Sequence, residues 1–162
     1  MALKADRRHV DSDIAHFMNE VATRGGIVSI TATVSSGAAM DQSEATVAYV
    51  AEPSGVEPLG VLMSDVVNLD LTRQHPNWHK EEVQVGGKVT VWTKGTVVTD
   101  YIYPGQTPTP GQVAYVADSG FFSNSDLSID SGQENTSLTR KVGRFVSGKN
   151  ADGFAKIDVN LP

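Results

Sequence analysis

The chain has 162 residues, of which 40% are hydrophobic and 20% charged, with a formal net charge of −6 and no cysteine. That length is enough for one domain, or one domain with an arm, burying about 70% of its unfolded surface without disulfides or metal. The composition excludes a wholly disordered chain, a membrane-spanning helix, a thiol nucleophile and thiolate metal sites, and the negative charge argues against a general nucleic-acid binder.

Charge is unevenly spread. Gly25 to Thr72 contains no Lys or Arg but holds Asp41, Glu44, Glu52, Glu57, Asp65 and Asp70. Basic residues gather in Lys4–Arg8, Arg73–Lys94 and Arg140–Lys156. The plain reading is a solvated acidic face. If the protein has a protein partner, basic surface from the two chain ends is the place to look for the contact.

In chain order, Met1–Arg24 is polar, mixed in charge and free of glycine. Met1–Val10 has too little apolar content to pack by itself and reads as an extended arm. It also lacks the apolar core of a secretion signal, so synthesis in the cytoplasm is expected. Asp11 or Ser12 is placed to cap a helix, with Ile14, Phe17, Met18 and Val21 at spacings of three, four and seven. The spacing predicts a short amphipathic helix, stopped by Gly25-Gly26. Residues 1–24 are thus expected to form an arm with one helix, and residues 25–162 a β domain.

From Ile27 onward Val, Ile and Thr dominate, the preference of a pleated, half-buried surface. Strands are expected at Ile27–Val34, Ala45–Ala51, Leu59–Met63, Val66–Leu71, Val83/Val85, Val89/Val91, Val97–Thr99, Gln112–Ala117, Val142–Val146 and Phe154–Val159. Breaks rich in Gly and Pro separate them, including Lys94-Gly95, Pro104-Gly105 and Pro108–Gly111. Gly86-Gly87-Lys88 reads as a hairpin turn between two valine strands, and Ser147–Gly153 as another turn. Phe122–Thr139 reads as a long polar surface loop. The fold class is therefore mainly β, a small β-barrel or β-sandwich with an N-terminal arm and one short helix.

Motifs for chemistry are weak. His75-x-x-x-His79 has metal-ligand spacing, but Pro76 interrupts any helix and no HExxH pattern exists. Asp65/Asp70 and Glu81-Glu82 show no sign of converging as acid–base pairs. No nucleophile elbow, Walker A loop or dinucleotide glycine pattern occurs, and Asp152-Gly153 alone makes no calcium loop. No catalytic, cofactor-binding or metal residue is assigned. Trp78, Trp92, Tyr101 and Tyr103 could stack on a sugar, which keeps a glycan-binding or adhesin β module as the alternative. An inter-subunit β enzyme using His75, His79, Asp65 and Asp70 is the weakest reading.

One long stretch resembles virion proteins of tailed bacteriophages. It includes Pro58-Leu59-Gly60-Val61-Leu62, Asp65–Gln74, Asn77–Val83, Gly86–Thr90 and Thr93-Lys94-Gly95. Pro110–Val116, Ser119-Gly120, Val142–Gly148 and Asp152–Ile157 continue it. The pattern is similar to phage head-decoration (capsid cement) proteins and covers Pro58 to Pro162.

The resemblance implies a small β-barrel that sits as a homotrimer on the outer surface of the mature head. It would bridge major capsid protein subunits, catalyse nothing, need no cofactor, and have no direct nucleic-acid or membrane contact. Chain-end arms would reach a neighbour, and arrayed copies would gain avidity. The contact residues expected on this reading are Arg7, Arg8, Phe17, Asn77 and Trp78.

Overall fold

The computed structural model describes residues 3–5, 10–33, 45–51, 55–65, 81–126 and 140–162. Among the described residues, twelve strands run in chain order. They are β1 (Leu3–Ala5), β2 (Asp11–Met18), β3 (Ala22–Thr23), β4 (Ile27–Thr33), β5 (Ala45–Tyr49) and β6 (Pro58–Asp65), then β7 (Glu82–Val83), β8 (Lys88–Thr99), β9 (Val113–Val116), β10 (Phe122–Ser123), β11 (Lys141–Phe145) and β12 (Ala155–Asn160). The helical content of the described residues is a single 3-10 turn, Asp118–Gly120. The chain is mainly β, as its Val, Ile and Thr content demands.

β8 organises the molecule. Its first half pairs with β2 on one edge and β6 on the other. Those two strands continue through β5 and β4, so β8-β2-β5-β4-β6 closes back on β8 as a five-stranded barrel. All its contacts are antiparallel except β2 with β5, which is parallel. The second half of β8 takes up β12 and β1, and β11, β9 and β10 extend the sheet beyond β12. Closure removes the exposed edges of the barrel, and β1 covers the end of β8 that β2 leaves open.

Lys94-Gly95 is therefore not a break, as the sequence suggests, but lies inside a strand of 12 residues. Gly95 has φ 137° and stands where β8 passes from barrel to second sheet. A residue with a Cβ resists that φ, so glycine suits this position within the strand.

Two cores result. Met18, Val28, Val47, Leu62, Val89 and Val91 fill the barrel. Ile27, Val61 and Trp92 on its outer wall pack against Val97, Ala114, Val116, Phe122, Val142, Phe145, Ile157 and Val159. At Ile27-Val28 of β4, Val61-Leu62 of β6 and Val91-Trp92 of β8, neighbouring residues thus face alternate cores, with both sides buried. That explains their continuous apolar runs, which resemble strands sealed on both faces more than an amphipathic sheet.

The helix expected after Asp11 is a strand. Between Asp13 and His16, β2 carries one more residue than β8 opposite it, so a bulge turns a period of two into an apparent spacing of three. Ile14 and Val21, two of the four residues that suggested a helix, are 51% and 60% exposed. Ala15 N donates to Asp13 Oδ1 at 2.8 Å, and His16 Nε2 lies 3.2 Å from Asp13 Oδ2, so one carboxylate holds the bulge.

Two other expectations need correction. Gly86-Gly87 is a turn, but β7 and β8 do not form a hairpin: β7 pairs with β3, and Gly86 N donates to Met18 O. Phe122 does not open a surface loop. It is fully buried in the second core, because β10 adds to the edge of β9. The strand expected at Val66–Leu71 lies outside the described residues. Ser147–Gly153 does join two paired strands, β11 and β12, and Asn150 Oδ1 accepts from Phe154 N at 2.8 Å to fasten the turn.

Candidate functional site

Of the five residues expected at a partner contact, the described part of the structure contains Phe17. Arg7, Arg8, Asn77 and Trp78 lie outside the described residues, as do His75, His79 and Asp70. Phe17 sits on β2 between Lys88 of β8 and Thr46 of β5 in register. Its neighbours His16 and Met18 point into the barrel, so alternation turns Phe17 outward, where it is half-buried. The Lys88 ammonium stands 6.0 Å from its ring centroid, at the outer limit of a cation–π contact. The expected arm is represented by Leu3–Ala5, whose backbone pairs with Val97–Thr99.

The aromatic residues considered for sugar stacking divide. Trp92 is buried in the second core and presents no ring to solvent. Tyr101 stacks on Phe121 at 5.2 Å between centroids, Tyr49 tilts against Tyr101 at 5.5 Å, and Tyr103 meets Phe121 edge-on at 6.4 Å. Gly26 and Gly120 let Tyr49 approach, since a Cβ on either would come within 2.7 Å of its ring. Tyr49 OH donates to Thr23 O, and Tyr49 N donates to Glu20 Oε1 at 2.6 Å. Burial pushes the Tyr49 hydroxyl well above the usual tyrosine range, and adjacent Tyr101 pushes the same way. This cluster is a packed seam between barrel and second sheet, in which the Tyr49 hydroxyl is turned to the chain's own backbone.

Two surfaces remain. The first is a groove of about 400 Å³ lined by Ile30, Val56, Glu57, Pro58 and Leu59, where the start of β6 pairs with β4. Glu57 at its rim forms an ion pair with Arg140, which precedes β11. The second is the solvent face of the second sheet. Register places Val113, Arg144, Asp158 and Thr96 in one cross-strand row. Tyr115 and Lys141 form the next pair, Asn160 faces Lys94, and Lys156 faces Val98. Sequence reading located the basic segments but not this convergence, because it depends on strands 94–99, 141–145 and 155–160 lying side by side. No group of three or more His, Asp or Glu among the described residues could hold a metal ion. No helix among them is long and apolar enough to cross a membrane.

Residues 10–160 match the family model described as Phage_cement, structural cement protein (E217 gp24/Pam3 gp6). The matched range spans both the barrel and the second sheet. A search of curated proteins gives no match.

Proposed function

The chain belongs to the phage structural cement family, and from that premise we propose that it decorates the outer surface of the mature phage head. In this reading it acts as a homotrimer and holds neighbouring major capsid protein subunits together. It does so as a rigid binding body, with no catalytic step. The observation that carries the reading is the family match across residues 10–160, which takes in every core strand. A barrel sharing strands with a second sheet suits this work. Load applied at one face passes through β8 into both cores, and interiors packed this way transmit strain with little compression.

Arg7, Arg8, Phe17, Asn77 and Trp78 are the proposed contact residues, with Arg7 and Arg8 carried by the segment that links β1 to β2. The test is co-sedimentation of the protein with bare expanded heads of its phage. The full chain is expected to pellet with the heads. Deleting Met1–Val10 is expected to weaken attachment while the β domain still melts cooperatively. Attachment unchanged by the deletion would remove the arm from the contact. A full chain that never pellets with heads would defeat the cement reading.

A further inference from the structure

We propose that the solvent face of the β9-β11-β12-β8 sheet is the docking surface, and that it meets an acidic patch on a protein of the capsid shell. The proposal rests on the cement reading and names the face and chemistry by which it would act.

The face is built by alternation and one bulge. Phe145, Ile157 and Val159 point to the second core, and the bulge between Lys141 and Gly143 turns Val142 the same way, so Lys141, Arg144, Asp158 and Asn160 point away from it. Lys94, Lys141 and Arg144 are exposed and Lys156 is half-buried. They share the face with Asp158, whose Oδ1 accepts from Thr96 Oγ1 at 3.2 Å, and border exposed Asp11, which β2 sets opposite Lys94. A chain of net charge −6 therefore gathers four cations against two anions, Asp158 and Asp11, on a single sheet face. Segregation of this kind serves orientation and encounter with a surface of opposite sign.

Beside the cations lie Tyr115, half-buried, and Val113, 36% exposed. A tyrosine, an arginine and an aliphatic residue in adjoining cross-strand positions form the kind of centre that carries protein–protein binding energy. The net charge of −6 disfavours a nucleic acid, because a polyanion would be repelled by the acidic remainder of the chain.

The test compares four full-length proteins for binding to bare heads: the parent chain, Lys141→Glu/Arg144→Gln, the milder Lys141→Gln/Arg144→Gln, and Lys149→Glu on the β11–β12 turn. Thermal melting of each confirms that the fold survives. The expected result is a loss of about tenfold or more in affinity for both double variants. Lys149→Glu should bind like the parent chain, and parent binding should weaken with added salt.

Parent-like binding by folded double variants would overturn the assignment of this face while leaving the cement reading standing. Failure of the parent chain itself to bind would overturn both. Binding of duplex DNA by the parent chain, lost in the double variants, would overturn the acidic-protein partner. A parent oligomer that falls apart in the double variants would likewise overturn it, by showing the face to be a contact between copies of this chain.

Discussion

Val61 and Leu62 are consecutive in β6, both are fully buried, and each belongs to a different core. Leu62 points into the barrel and Val61 toward the second sheet, a direct result of side-chain alternation where the strand is covered on both faces. The same relationship holds for Val91 and Trp92 on β8 and for Ile27 and Val28 on β4.

Because three strands serve both cores, damage to one is expected to be felt by the whole. Leu62→Ala should cost about 2–5 kcal/mol from lost burial and the cavity it leaves. Val61→Ala should lower stability as well, and each variant should unfold in one transition. Urea titration followed by far-ultraviolet circular dichroism and by tryptophan fluorescence gives the readout, since Trp92 lies in the second core. Non-coincident transitions would show that the barrel and the second sheet fold independently.

Gly120 has φ 74°, and a Cβ there would lie 2.7 Å from Tyr49 Cδ1 and 2.8 Å from Ile27 O. One of those neighbours is backbone and cannot swing aside. Gly120→Ala is expected to destabilise by about 2 kcal/mol or more, from left-handed backbone strain and overpacking together. Gly105→Ala, at φ 81° in open space, should cost about 1 kcal/mol, from strain alone. Equal urea midpoints for the two variants would contradict the packing described around Tyr49.

Burial of the Tyr49 hydroxyl favours its neutral form in the folded state. The folded protein therefore holds this proton more tightly than the unfolded chain, whose tyrosines titrate near pH 10. The resulting stability is complete below about pH 10 and erodes as pH rises beyond it toward the higher folded value. Tyr49→Phe keeps the ring but lacks the proton and the bond to Thr23 O. The parent chain should exceed the variant by about 1 kcal/mol at pH 8, and the gap should narrow above pH 10. A gap that stays constant or widens with alkali would refute this assignment.

The amino-acid sequence by itself determined the class of fold and most of the strand positions. Runs of Val, Ile and Thr punctuated by Gly and Pro are a local property, and β4, β5, β9, β11 and β12 follow from them directly. The resemblance to capsid cement proteins likewise stood on turn and strand motifs read along the chain. The bulge at Asp13–His16 was not legible, since an inserted residue in a strand imitates helical spacing and nothing local distinguishes the two. Nor could local pattern show that β8 runs unbroken through Gly95, or that Phe122 belongs to a core.

Those points are decided by partners far away in the chain: β2 is a strand because β8 lies beside it, and Phe122 is buried because β10 adds to β9. The cationic face has the same origin. Lys94, Lys141, Arg144 and Lys156 are separated in sequence, and only hydrogen-bonded registers between β8, β12 and β11 set them on one surface. Side-chain chemistry is written residue by residue, whereas the company each residue keeps is set by long-range strand pairing, which no local pattern encodes.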